Sequence, residues 1–452
     1  MRRWLPVAIL VLCSRTVMSA QQPPPQVIIP AGNVLLPNSN SVPLGPYAGL
    51  EGGAHVARVG DPSSAWLNPA GLSRAQDAEI SASSGVFQIS TLSTPSAPGS
   101  GGSVVRLPSL VGFMVKGAFG GRMTLGLSVA TVTSWSQDTD VELVVNDGPV
   151  AQRFAFSADS SFDRFVVVGS AGYVTGAWRF GAGLAVVQTD LVKNAVVSSR
   201  AADASSLRSL LLESRTSGTA FHLRPVLGVQ YDASPRLKLG FMARTPAPTV
   251  YSFGSITSEG VRVGGGTSTG VSFFDPDAAF AAKLPFEVRG GAAYIGRRFE
   301  IEVDVSAETP VSSYEMLASD EPVVTYASGS GAPVIATTAF PGVASQSTSV
   351  VNVAVGGHVF LTDTGTWRLH FGAGTDRSGV GPDDQVFTKI HFGVWSVGVS
   401  GRKGRLQFTA GLNYRSGTAD DVVIGQLESG TLVQSGIHVR SVGIIYAVNY
   451  RF

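Results

Sequence analysis

From about Ala78 to the C-terminus, apolar and polar positions alternate with a period of two. Leu406, Phe408, Ala410, Leu412 and Tyr414 alternate with Gln407, Thr409, Gly411, Asn413 and Arg415. Phe299, Ile301, Val303 and Val305 do so with Glu300, Glu302, Asp304 and Ser306, and Met123, Leu125, Leu127 and Val129 with Arg122, Thr124, Gly126 and Ser128. A strand points successive side chains to opposite faces, so these are strands with one apolar and one mixed face. About fourteen such segments are predicted, near 78–92, 107–119, 122–135, 162–175, 177–189, 221–232, 235–246, 285–296, 297–315, 349–361, 366–376, 389–401, 404–416 and 436–452. The first is weakly patterned, and the twelfth changes phase near Val394-Trp395, which predicts a bulge.

The connections alternate in kind. Gly120-Gly121, Gly176-Ala177, Ala233-Ser234, Gly296-Arg297, Asp363 to Gly365 and Arg402-Lys403 read as tight turns. Residues 93–106, 136–161, 190–220, 247–284, 316–348, 377–388 and 417–435 read as long loops. Short turns on one rim and long loops on the other are the layout of an outer-membrane barrel, with the turns periplasmic. Tyr173, Trp178, Tyr231, Tyr294, Phe299 and Trp367 stand beside the short turns on apolar faces, as an aromatic girdle would. A lipid-facing Arg or Lys costs roughly 2–4 kcal/mol at mid-bilayer. Arg122, Arg179, Lys238 and Arg368 share the phase of the small and polar residues, so that face lines the lumen. The expected fold is all-β: a transmembrane antiparallel β-barrel of about 14 strands in the outer membrane of a Gram-negative-type bacterium. Outer-membrane lipid would surround it.

Composition narrows the rest. Charged residues are 14% of the 452, glycines number 54, and the net charge of +1 gives no reason to expect nucleic acid as a partner. Arg2-Arg3, the apolar run from Trp4 to Cys13 and Ser19-Ala20 read as a signal peptide over 1–20. Cys13 is the only cysteine, so no disulfide or thiolate metal site is expected beyond the leader. Residues 21–46 read as a Pro-rich tether, 47–77 as a small-residue hatch in the lumen, and 78–452 as the barrel. Within the hatch, Asp61 is placed to cap a helix with Pro62 at its first position, Asn68-Pro69 turns the backbone away from α, and Gly71 allows a sharp exit.

Asn68, Pro69, Ala70, Gly71 and Leu72 resemble the N-terminal signature of the FadL/TodX family of outer-membrane transporters of long-chain fatty acids and other hydrophobic compounds. Ala54, Ala57 and Asp61 match the stretch before it. Lys283-Leu284-Pro285-Phe286-Glu287, leading to Gly290, Gly291 and Tyr294, is similar to the family's entry into a mid-barrel strand, as is Arg244-Thr245-Pro246 ahead of a long loop. The resemblance implies a hydrophobic small-molecule ligand, an outer capture groove, a hatch-gated lumen and lateral escape into the bilayer. A last strand ending at Phe452 resembles the signal read by barrel-assembly machinery.

Candidate groove residues are Leu207, Leu210 and Leu211, at helical spacing, with Tyr251, Phe253, Phe273 and Phe274. Glu300, Glu302 and Asp304 opposite Arg224, Arg244 and Arg289 are a candidate lumenal charge ladder. His222, His358 and His370 lie on different strands and read as wall; no metal or other cofactor is expected. Gly266-Thr267-Ser268-Thr269-Gly270 fits a nucleophile-elbow pattern without the helix that the elbow needs. A lipid enzyme is therefore a minor alternative. The main one is a barrel of the same shape serving as a protein-secretion shuttle, similar to those of type IX systems.

Overall fold

A computed structural model describes residues 35–38, 44–94, 97–118, 121–147, 150–201, 209–264, 266–329, 332–426 and 432–452. The expected signal peptide lies outside these. Twenty strands follow the N-terminal segment: β1 (Glu79–Thr94), β2 (Ala97–Ala118), β3 (Met123–Asp147), β4 (Val150–Thr175), β5 (Trp178–Ala201), β6 (Ser209–Asp232), β7 (Leu237–Arg244), β8 (Tyr251–Gly264), β9 (Thr267–Phe280) and β10 (Glu287–Ile295). Then come β11 (Phe299–Glu308), β12 (Val311–Ala318), β13 (Pro322–Ser328), β14 (Val334–Ala339), β15 (Val343–Ser347), β16 (Val350–Phe360), β17 (Trp367–Asp376), β18 (His391–Lys403), β19 (Leu406–Gln426) and β20 (Leu432–Arg451).

Fourteen of these make a closed antiparallel wall, in the order β1 to β7, β10, β11 and β16 to β20. Pairing of β20 with β1, from Tyr450↔Ile80 to His438↔Ser93, seals it. The alternation falls as the sequence predicts: Leu125, Phe180, Leu184, Val303, Phe408 and Ile444 face outward, while Thr124, Ser128, Asn413 and Asn449 are buried inside. Trp178, 46% exposed on the outside, stacks on Tyr231 at 4.3 Å, and Tyr294 lies 5.8 Å from Phe299. The aromatic belt at the short-turn rim is in place. The Phe452 amide donates to Ala78 O (3.0 Å), so both ends of the wall meet at that rim.

Several expectations need correction. Residues 136–161 and 190–220 are not loops: β3, β4, β5 and β6 run on as tall hairpins, because their period-two pattern simply continues. The stretch 247–284 holds the β8–β9 hairpin, which extends the wall above β6, and 316–348 holds β12 to β15. Leu210 and Leu211 therefore sit on a strand; helical spacing of three leucines is too short a signal to decide. The last tight turn falls at Gly404-Arg405, where Gly404 has φ +62°, and not at Arg402-Lys403. Arg122 stands in the turn before β3, whereas Arg179 points inward to Asp232.

The expected bulge near Val394 is absent: β18 keeps unbroken register with both neighbours. What changes there is the chemistry of the inward face. Phe392 and Val394 join Phe154, Phe162, Leu191, Phe273, Phe280 and Ile437 in one buried cluster that fills the upper lumen. The lumen is thus polar below and apolar above. Leu35 and Leu36, within the stretch read as a Pro-rich tether, lie in this upper cluster, and Thr388 N donates to Leu35 O at 2.8 Å.

Candidate functional site

Residues 44–76 form a plug inside the lower barrel. A single turn of helix, α1 (Ser64–Leu67), is followed by a 3₁₀ segment, Pro69–Arg74. Ser63, just before the helix, makes no side-chain cap of its own; the Asp61 carboxylate accepts from the amide and hydroxyl of Ser63, the bond expected of a cap at Asp61. Asn68 is extended (φ −165°, ψ 102°) and is itself the cap, its Oδ1 accepting from Ala70 N at 3.2 Å. Leu72 is fully buried against the wall. Gly71 lies within the 3₁₀ segment, so its role is not the conformational one expected. A side-chain carbon there would sit 2.4 Å from Val59 O.

A plug this irregular carries buried peptide groups that no helix or sheet satisfies, and each needs a partner. The wall supplies them. Ser128 Oγ donates to Pro62 O (2.7 Å), Ser170 Oγ to Ala65 O (2.9 Å) and Gln230 Nε2 to Val56 O (3.0 Å). Asp304 Oδ2 accepts from His55 N (2.9 Å) and Val56 N (3.2 Å), and Glu302 Oε1 from Ala57 N (2.6 Å). Wall glycines let the plug approach: a Cβ at Gly181 would lie 2.2 Å from Ala70 N, at Gly228 2.0 Å from Asn68 Oδ1, and at Gly356 2.0 Å from Glu51 O. These glycines escaped the sequence reading. Their signal was a glycine in the inward phase at one level of strand after strand.

The expected charge ladder is two separate clusters. Arg244 grips both oxygens of Glu287 at 2.7 Å, donates to Trp66 O at 2.7 Å and lies 3.7 Å over the Trp66 ring. Arg224 and Arg289 reach Glu287 at 3.7 and 4.0 Å. Glu300, Glu302 and Asp304 turn away toward the plug, where Arg58 takes Glu302 (2.7 Å), Glu300 (3.4 Å) and Glu51. Glu51 accepts from Nδ1 of His358 (2.9 Å) and of His370 (2.8 Å). Burial alone would raise the Glu51 carboxyl; Arg58 and the two imidazoles outweigh it and hold it well below the ordinary carboxylate range. His222 lies elsewhere, with Pro248 O at 3.1 Å.

Above the plug is a cavity of about 100 Å³ lined by Ala48, Gly52, Trp66, Val132, Thr133, Arg164, Arg224, Arg244, Arg289, Glu287 and Glu308. Arginines outnumber carboxylates on its wall. Arg164, with its guanidinium 5.0 Å over Phe162, has a buried Nε without a hydrogen-bond partner. Beside this cavity the pairing of β2 with β3 lapses. The β2–β3 ladder runs from Ala118↔Met123 to Leu110↔Ala130 and is next seen at Gly102↔Asp138; in the stretch between, Ser134, Trp135 and Gln137 keep contacts of their own. Two features coincide with the lapse. Pro108 has no N–H to give, and β3 shifts register against β4 between Thr131 and Thr133, leaving Val132 as a bulge.

The candidate groove residues do not converge. Leu207 lies outside the described residues. Leu211, Tyr251, Phe253 and Phe274 face outward, Leu210 is half-buried, and Phe273 points inward to stack on Phe340 at 4.7 Å. Gly266 to Gly270 forms a turn and the start of β9 with no helix after it.

This is a transmembrane β-barrel of outer-membrane type with its N-terminal segment folded into the lumen. Its fold is that of the FadL/TodX channels. A FadL homologue of Pseudomonas aeruginosa superposes with a TM-score of 0.60 at 14% identity, over 92% of this chain and 100% of that one. The toluene transporter TbuX of Ralstonia pickettii gives 0.55 at 14% identity (92% and 99%), and the toluene transporter TodX of Pseudomonas putida 0.55 at 11% (95% and 100%). No family model and no curated protein matches the sequence.

Proposed function

We propose that the protein is a passive outer-membrane channel for hydrophobic small molecules, which leave the lumen sideways between β2 and β3. The observation that carries this reading is the lapse of the β2–β3 ladder beside a lumenal cavity lined by Val132 and Thr133. A hydrophobic solute gains nothing from an aqueous exit below; a side exit delivers it to lipid, where its apolar surface stays out of water. The plug blocks the straight path, and the structural neighbours named for toluene transport share the arrangement of the fold. A protein shuttle has no use for a lapse of pairing beside a lumenal cavity, which favours transport.

The arginine surplus in the cavity suits a ligand with an acidic head, long-chain fatty acids among them, with Arg164 available to a carboxylate. The cavity is small as it stands, so passage of a long chain requires the plug to shift. The test is uptake by cells carrying the gene, with a labelled fatty acid and a neutral hydrocarbon compared. Thr133→Trp, which fills the cavity beside the opening, should depress uptake of both, and Arg164→Gln that of the acid alone. Uptake by Thr133→Trp equal to wild type would count against the route.

A further inference from the structure

Glu51 and His55 stand four residues apart on the plug and face two histidines of the wall, His358 on β16 and His370 on β17, which are direct cross-strand partners. Nδ1 of His358 and Nδ1 of His370 both approach one oxygen, Glu51 Oε1, at 2.9 and 2.8 Å. One ligand atom from each of the three side chains lies within 4.8 Å of the other two. His55 Nδ1 is buried with no hydrogen-bond partner, 3.6 Å from Glu51 Oε2 and so beyond bonding length. His358 Nε2 is also buried without one, 3.8 Å from Glu300 Oε2. Buried imidazole nitrogens left without partners are costly, and here one lies beside Glu51 and the other beside Glu300.

We propose that Glu51, His358 and His370 bind one divalent transition-metal ion of zinc type, which fastens the plug to the wall, and that His55, now on the Oε2 side of Glu51, turns to complete the set. Three imidazoles and a carboxylate are a donor set such ions favour. Without the ion, each wall histidine gives its Nδ1 proton to Glu51. With it, each ring stays neutral by carrying the proton on Nε2, and for His370 an acceptor is in place there, Ser400 Oγ at 2.8 Å. Arg58 holds Glu51 by Oε2, which leaves Oε1 for the ion. Its positive charge is more than matched, since Glu51, Glu300 and Glu302 all converge on it. A polar vestibule of about 290 Å³, lined by Tyr47, His55, Arg58, Glu300 and His358, gives the ion a way in. The site holds whatever the barrel conducts.

The test is Co²⁺ titration of the full chain in detergent micelles after chelator treatment, read by visible absorption, with Zn²⁺ added in competition. One Co²⁺ per chain should bind and be displaced by Zn²⁺. His370→Gln and His55→Gln should each weaken binding at least tenfold, while His222→Gln leaves it unchanged. Folding is checked by the mobility of unheated barrels on gels. If His370→Gln does not fold, His55→Gln decides alone, because His55 Nδ1 has no native hydrogen bond to lose. Absence of Co²⁺ binding by the wild type, or binding that His55→Gln and a folded His370→Gln leave intact, overturns the proposal.

Discussion

Glu287 shows how a single residue can organise a site that its neighbours only suggest. The sequence marks Arg224, Arg244 and Arg289 as inward by their phase, and Glu287 by its place after Leu284-Pro285. It does not say that all three arginines share one carboxylate, because that depends on strands far apart in the chain. Removing one partner from a buried ion pair costs about 3–5 kcal/mol, since the charge left behind stays out of water. Glu287→Gln should therefore lower the temperature at which the unheated, fast-migrating barrel is lost on gels; an unchanged transition would mean that solvent already screens the cluster. At Gly181 the same scale gives a steric prediction. A methyl group there meets Ala70 N at 2.2 Å, and overpacking of this kind costs typically 1–3 kcal/mol. Gly181→Ala should speed hydrogen exchange in residues 64–74 while leaving the barrel's melting unaltered.

Among the elements, the wall strands were legible and the tall hairpins were not. A strand is written in its own alternation, so the fourteen wall segments could be read one at a time. Where the alternation ran past the membrane, the change from lipid outside to water outside blurred it, and long strands passed for loops. The plug was legible only through Asn68 to Leu72, because its fold depends on wall groups such as Ser128, Gln230 and Glu302 that satisfy its backbone. Its electrostatic anchor makes a pH prediction. The folded-state value of Glu51 is depressed, so its contribution is complete above the ordinary carboxylate value of about 4.3 and is lost as pH falls through the lower folded value. In chelator-treated, metal-free protein, fluorescence of Trp66, buried in the plug, should stay flat from neutral pH down through the ordinary carboxylate range and change only in stronger acid. A transition near neutrality would show that Glu51 is not held as described.

On the scale of the whole molecule, the proposed direction of travel rests on the lapse of β2–β3 pairing beside a plugged lumen. The sequence conveyed the wall, its girdle and its sidedness. The lapse was hidden in two unremarkable residues, Pro108 and Val132, whose effects meet only when β2 and β3 are side by side. The most direct measurement closes that lapse. In a chain with Cys13→Ser, Leu107→Cys and Thr133→Cys fall opposite each other by the register on either side of the break, and a short bis-maleimide can join them. Uptake of a labelled hydrophobic compound should collapse in cells whose barrels are joined and persist when either cysteine is present alone. Full uptake through joined barrels would contradict a lateral exit between β2 and β3.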